Sequence, residues 1–261
     1  MEFFDLLLLA VVQGVTEFLP VSSSGHLVIL GSLLDDDSMT GHQMAGVTIA
    51  LHVGTLLSIV VFYFRELIRL VGRDRRQLGL LLLASLPAAA VGIPLKLLHW
   101  DERLHDARVA SASLIVTGLV LLVGGRASRR QSTATEMSAA TAAWIGLAQA
   151  LAIVPGLSRS GLTITAAIIG GVASREAARF SFLLAIPAIA GAGLLQLMEL
   201  SSGKAGGSAF DAWQLCVGAA VAAAVGWLSL SGLLLMLGRG RFAWFAVWCL
   251  PVGTLMLIRS L

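Results

Sequence analysis

QGVTEFLPVSSSGH, Gln13 to His26, lies inside an apolar stretch but cannot be part of a straight membrane span. Residues 2–30 are mostly Leu, Val and Phe, yet their middle holds Pro20, Ser22, Ser23, Ser24, Gly25 and the ionisable Glu17 and His26. Irregular backbone at membrane depth is tolerated only where protein or a water-filled cavity satisfies the freed polar groups. The stretch therefore reads as a re-entrant helix–turn–helix hairpin. A second one, QALAIVPGLSRSG from Gln149 to Gly161, interrupts residues 138–172 in the same way. Both run Gln, apolar residues, Pro, then Ser-x-Ser-Gly with the same Gln-to-Gly spacing, the proline one residue out of register.

Outside the hairpins the chain is more uniform. Of 261 residues 57% are hydrophobic and 13% charged, about half the charged share of a soluble domain, which excludes that class. A crossing helix needs about 20 apolar residues. Six stretches reach or approach that length: 43–64, 77–98, 109–125, 177–200, 212–237 and 242–260. Cys216 and Cys249 lie within apolar stretches and read as buried small hydrophobes. Glu2 and Asp5 stand where a cleavable signal would carry basic residues.

The charges test this count. If six spans cross and both hairpins return to their own side, twelve cations gather on one side, from Arg65–Arg76, Arg126–Arg130, Arg175, Arg179, Arg239 and Arg241. The other side receives five (Lys96, Arg103, Arg108, Lys204, Arg259) and the acidic run Asp35–Asp37. The positive-inside rule then places the Arg-rich loops in the cytoplasm and both termini outside. The predicted fold is an all-α polytopic membrane domain with six transmembrane helices and two re-entrant hairpins. Its halves, 1–125 and 138–261, form an inverted repeat, an architecture whose sites lie near the midplane where the repeats meet.

Ser22 is a good N-cap for a short helix beginning at Ser23, and Ser158 for one beginning at Arg159. Such N-termini present unpaired N–H groups and a positive dipole end. Gly25 and Gly161 let a ligand approach the backbone, and Ser22, Ser24, Ser158 and Ser160 add hydroxyls. Arg159 can grip an oxyanion with two nitrogens. If the tips meet, they make a phosphate site, to which Gln13 and Thr163 are also assigned. Glu17 projects one turn after Gln13 toward the same tip; it either locks the hairpins by pairing with Arg159 or takes part in chemistry. His26 could be a packing residue, but sharing a short window with Glu17 and three serines favours a catalytic role. His52 is evenly balanced between packing and function, and His42 would sit near the outer mouth. His99 and His105 read as solvated.

QGVTEFLPVSSSGHL and PGLSRSGLTI resemble the two signature segments of the undecaprenyl-diphosphate phosphatase family, the BacA/UppP type linked to bacitracin resistance. HVGTLLSIVVFYFREL and ARFSFLLAIPAI resemble family segments too. The resemblance implies a multi-pass enzyme of the bacterial inner membrane that hydrolyses the C55 lipid carrier diphosphate to undecaprenyl phosphate for reuse in peptidoglycan and wall polymers. It implies catalytic roles for Glu17, Ser23, His26 and Arg159, with His26 as nucleophile or acid–base and Glu17 orienting it or activating water or Ser23. It also implies a divalent cation, magnesium or calcium, leaning on Glu17 and on substrate phosphates. The expected partners are the lipid substrate and membrane lipids, with no nucleic acid, and the site should open to the outer face. Gly218, Gly226 and Gly232 permit close helix packing and leave a homodimer open. A lipid-phosphate flippase is the alternative, since inverted repeats suit alternating access equally well.

Overall fold

A computed structural model describes residues 3–34, 41–98, 106–129, 136–201 and 210–260. Among these every regular element is a helix: α1 (Phe3–Phe18), α2 (Ser23–Leu34), α3 (Gly41–Phe62), α4 (Phe64–Gly72), α5 (Arg75–Leu97) and α6 (Ala107–Ser128). There follow α7 (Ala139–Leu151), α8 (Arg159–Ile169), α9 (Ser174–Ser201), α10 (Ala212–Gly238), a 3₁₀ turn at Phe242–Phe245 and α11 (Ala246–Ser260). The expected acidic run Asp35–Asp37 and the loop holding His99, Arg103 and His105 lie outside the described residues, as does the side chain of His42.

Among the described residues five helical stretches are long and apolar enough to cross a membrane, and α3 with α4 makes a sixth if that pair counts as one span. They fall on the six stretches read from the sequence. α1–α2 and α7–α8 are the two interrupted pairs. The longest arm, α1, has 16 residues, so at about 1.5 Å per residue it falls short of a hydrocarbon core roughly 30 Å thick.

One boundary differs. The sequence ends the first span at residue 64 and leaves the following arginines in a loop, but the helix resumes as α4, bent by 73° at Tyr63. α4 is amphipathic: it buries Leu70 while Arg65, Arg69 and Arg73 stay exposed. Arginines at helical spacing on one face of a short helix look like a loop to a reading that counts only apolar length.

The interrupted arms α1 and α7 pack on distant helices, α1 on α10 as well as on α3 and α7 on α5, while α6 packs on α11. Lipid tails are as apolar as leucine, so helices associate here through close contact. Gly14 on α1 lies against Ala222 and Gly226 of α10, Gly146 on α7 against the backbone of Ala84, and Gly54 on α3 against Ala219. Gly218 and Gly226 are used inside the protein as well, against Leu6 and Leu51 and against Phe18 and Ser58, while Gly232 meets nothing. The perimeter carries exposed Leu57, Leu86, Val116, Leu228 and Val247, as expected for a lipid-facing surface. Cys249 is buried as expected; Cys216 instead lies on that exposed surface, and both are free.

A methyl group at Gly54 would collide with the Ala219 carbonyl, whereas one at Gly79 would meet open space. Gly54→Ala should therefore lower the melting temperature of the detergent-solubilised protein, by about 1–3 kcal/mol of overpacking. Gly79→Ala should leave it unchanged or raise it.

Candidate active site

α1 ends at Phe18 because Pro20 follows, and a tight turn with Val21 N–H on the Leu19 carbonyl (2.7 Å) redirects the chain. Ser22 then adopts φ 67, a left-handed conformation that is costly for a residue with a Cβ. Its hydroxyl accepts the Gly25 N–H at 3.2 Å and lies 3.4 Å from Ser24 Oγ. The second tip repeats this pattern: Ser158 Oγ accepts the Gly161 N–H at 3.1 Å and lies 3.3 Å from Ser160 Oγ. α2 and α8 begin at Ser23 and Arg159, the residues that the capping pattern selects.

The two tips meet. A Cβ on Gly25 would fall 2.7 Å from Gly156 Cα, so only glycine permits the approach, and Ser160 Oγ bonds the Leu19 carbonyl at 3.4 Å. Across this contact Arg159 Nη2 reaches Glu17 Oε1 at 2.6 Å. The other carboxylate oxygen accepts from Ser23 Oγ at 2.7 Å and from Gln13 Nε2 at 3.0 Å. His52 Nε2 stands 3.9 Å from it, while His52 Nδ1 donates to the Thr48 carbonyl at 2.8 Å. Above lies a cavity of about 200 Å³, lined on its polar side by Glu17, Ser22, Ser23, Ser24, His52, Ser158, Arg159 and Ser160. Ala152, Leu157, Ala188, Ile189 and Ala192 form the apolar side.

Not every candidate faces this space. Gly25 and Gly161 shape the tips from beneath, and Gln13 is fully buried behind Glu17. Thr163 is also fully buried, bonded to the Arg159 carbonyl at 2.7 Å and to Ser181 Oγ at 2.6 Å; it supports the first turn of α8. His26 is not brought to Glu17: its Nδ1 donates to the Ser22 carbonyl at 2.7 Å and its Nε2 accepts from Trp248 Nε1 at 2.8 Å. His52 is the histidine in the cavity lining. Its one visible signal was its place within a span, which packing explains equally well. Trp248 comes from the far end of the chain and carries no local signal.

Chemically, the lining combines a guanidinium, two helix N-termini and a serine hydroxyl already donating to a carboxylate. It can hold a phosphate group and accept a proton beside it. A larger cavity of about 420 Å³ lies between α4, α5 and the start of α9. It holds no such set: Arg179 there is occupied by Glu66, Glu176 and Gln77. Among the described residues no three of His, Cys, Asp and Glu converge as a metal cage. Glu17 is the only carboxylate at the tips, and Gln13 Oε1 beside it is buried without a hydrogen-bond partner. These oxygens suit a hard cation that draws most of its shell from substrate phosphates and water.

A family model described as "Bacitracin resistance protein BacA" matches residues 6–255. Over 100% of this chain and 99% of its own length, an undecaprenyl-diphosphatase of Rhodopirellula baltica is 42% identical. Undecaprenyl-diphosphatases of Rubrobacter xylanophilus (39% identical, 98% of this chain and 97% of the relative) and Alcanivorax borkumensis (37%, 98% of each) match as fully. The family match runs from within α1 to within α11, and the chain belongs to the BacA family.

Proposed function

We propose that this protein is an undecaprenyl-diphosphatase, a membrane hydrolase that splits the terminal phosphate from the C55 lipid carrier diphosphate. The observation that carries the reading is the Arg159–Glu17–Ser23 chain of contacts across the touching hairpin tips. Arg159 and the N–H groups of Ser23, Ser24, Arg159 and Ser160, which open α2 and α8 and lack helical acceptors, would hold the terminal phosphate and stabilise its charge in the transition state. Ser22, Ser24, Ser158 and Ser160 line the same space and would add hydroxyl donors. Glu17, with Ser23 O–H already on its Oε2, is placed to take a proton as an oxygen attacks phosphorus. The P–O bond to the lipid phosphate breaks, and undecaprenyl phosphate leaves. The attacking oxygen is that of Ser23, followed by water hydrolysis of a phosphoserine, or that of a water held in its place. Trapping of a phosphorylated residue separates the two.

A divalent cation, magnesium or calcium, would be held by Glu17 and Gln13 Oε1 together with substrate phosphate, and when bound it supplies charge neutralisation. The Ala188–Ile189–Ala192 wall suits the first isoprene units. Charge asymmetry supports a bacterial inner-membrane location with the Arg-rich loops in the cytoplasm and the site opening outward. The matching serine caps at the two tips, with α1 on α10 and α7 on α5, support an inverted repeat. A flippase would also need cations and donors, but it has no use for a serine poised on a carboxylate.

Purified protein should release phosphate from undecaprenyl diphosphate, and chelation of divalent cations should stop it; lipid movement in liposomes without hydrolysis would favour the flippase. Glu17→Gln should lower kcat by about 10²–10⁴, the usual worth of a general base, although position 13 already carries glutamine. Arg159→Lys should cost about 10²–10³ in kcat with little change in melting temperature, because an ammonium cannot reproduce the two-nitrogen grip. Near-normal turnover in either variant would remove that residue from the chemistry.

A further inference from the structure

Ser22 is the one non-glycine residue with positive φ among the described residues. Such a conformation persists only where its surroundings over-determine it. The Ser22 carbonyl accepts both the His26 N–H (3.2 Å) and His26 Nδ1–H (2.7 Å). The imidazole is in turn fixed from outside the hairpin by Trp248 Nε1–H on Nε2 at 2.8 Å, the two rings lying within 10° of parallel. The next residue of α11, Cys249, puts its Sγ 3.8 Å from the Pro20 carbonyl. Neighbouring residues of α11 thus hold both ends of the Pro20–Ser22 turn. The other tip has an equivalent clamp: Thr117 of α6 donates to the Gly156 carbonyl at 2.8 Å and accepts the Ser158 N–H at 3.0 Å. α6 and α11 pack together, each clamping one tip.

We infer that Trp248 is a positioning residue of the active site: through His26 it holds the left-handed Ser22 turn on which Ser23 and the α2 N–H groups are mounted. This rests on the diphosphatase reading for its substrate. A carbonyl must receive a hydrogen, so the Ser22 contact fixes the proton on Nδ1, and the Trp248 contact uses the remaining lone pair on Nε2. Neither nitrogen is left to attack phosphorus or carry a proton in the cavity, and His26 does not line it. His26 acts through the geometry of Ser22.

The discriminating variants are His26→Asn, His26→Leu and Trp248→Phe, each checked for folding by its melt in detergent and assayed on undecaprenyl diphosphate. The amide nitrogen of asparagine sits as far from Cβ as Nδ1 and can bond the Ser22 carbonyl, but it cannot act as an acid or base near neutral pH. His26→Asn keeps the Ser22 bond but loses the Trp248 contact, so its kcat should fall by about tenfold, as in Trp248→Phe, while His26→Leu, which also leaves the carbonyl unpartnered, should fall by about 100-fold or more. Trp248→Phe should lower kcat by about tenfold, the worth of one hydrogen bond, with KM within about twofold. It should add nothing in the His26→Leu background, since both changes break one chain of contacts. Nitrogen-15 spectra of labelled histidine should show an Nδ1–H tautomer that His26→Asn deletes, and Trp248→Phe should shift its Nε2 resonance as the accepted hydrogen bond is lost, a readout independent of the substrate. If His26→Asn is as inactive as His26→Leu while Trp248→Phe turns over normally, His26 is an acid–base or nucleophilic group and the inference fails. A wild-type protein that releases no phosphate would instead refute the diphosphatase reading and leave the spectra to decide the clamp.

Discussion

The Glu17–Arg159 ion pair is the contact on which the site depends. A charge buried at membrane depth costs several kcal/mol unless it is paired and hydrogen-bonded. Neither residue has another full partner within its own hairpin, so the carboxylate draws the second tip to the first at 2.6 Å. Glycine makes the approach sterically open where Gly25 faces Gly156. The pair is unequal in its surroundings: the side chain of Glu17 is 5% exposed and that of Arg159 20%. The carboxylate is walled in by three protein donors, whereas part of the guanidinium reaches the cavity and can meet a phosphate without abandoning Glu17.

That inequality decides how the site handles charge. Before substrate arrives, one carboxylate and one guanidinium nearly cancel, so the cavity can exist in a low-dielectric setting. A diphosphate brings several negative charges at once. The helix N-termini answer them with fixed partial positive charge that needs no counter-ion in the empty site. A cluster of lysines would bind the same anion but would itself have to be neutralised when empty. On the proposed reading, two short helices aimed at one point would meet that demand together with Arg159, and an unbroken span could not offer their N-termini.

Much of this was legible in the chain. Pro20 and Pro155 with their following serines locate the helix starts at Ser23 and Arg159 because capping is a local interaction. Apolar length locates the spans because the bilayer imposes it. What escaped notice depended on the third dimension. His26 and His52 are both histidines near Glu17 in principle, but only rotation about the helix axes decides that His52 faces the cavity and His26 faces α11. Gly218 and Gly226 looked free for a second chain because nothing local says that α1 and α3 already fill them. Trp248 lies 222 residues from His26, and a single indole in an apolar helix is indistinguishable from lipid-facing neighbours such as Trp244.

The two hairpins agree in their serine caps and differ in their charges. Gln149 stands where Gln13 does, yet one turn on the second hairpin has Ile153 in place of an acid. Gln149 is buried and neither of its amide atoms has a hydrogen-bond partner, while Gln13 bonds Glu17. A second carboxylate there would need a second cation, at several kcal/mol of desolvation, and would repel the phosphate that the site must admit. One acid against one arginine therefore gives the site a direction. Glu17 and Ser23 stand on the α1–α2 side and the guanidinium on the α8 side, so a phosphate seated between them as proposed would present one face to an attacking oxygen. Matching serine caps build the frame, and the unmatched charges would make it a place where a bond can be broken.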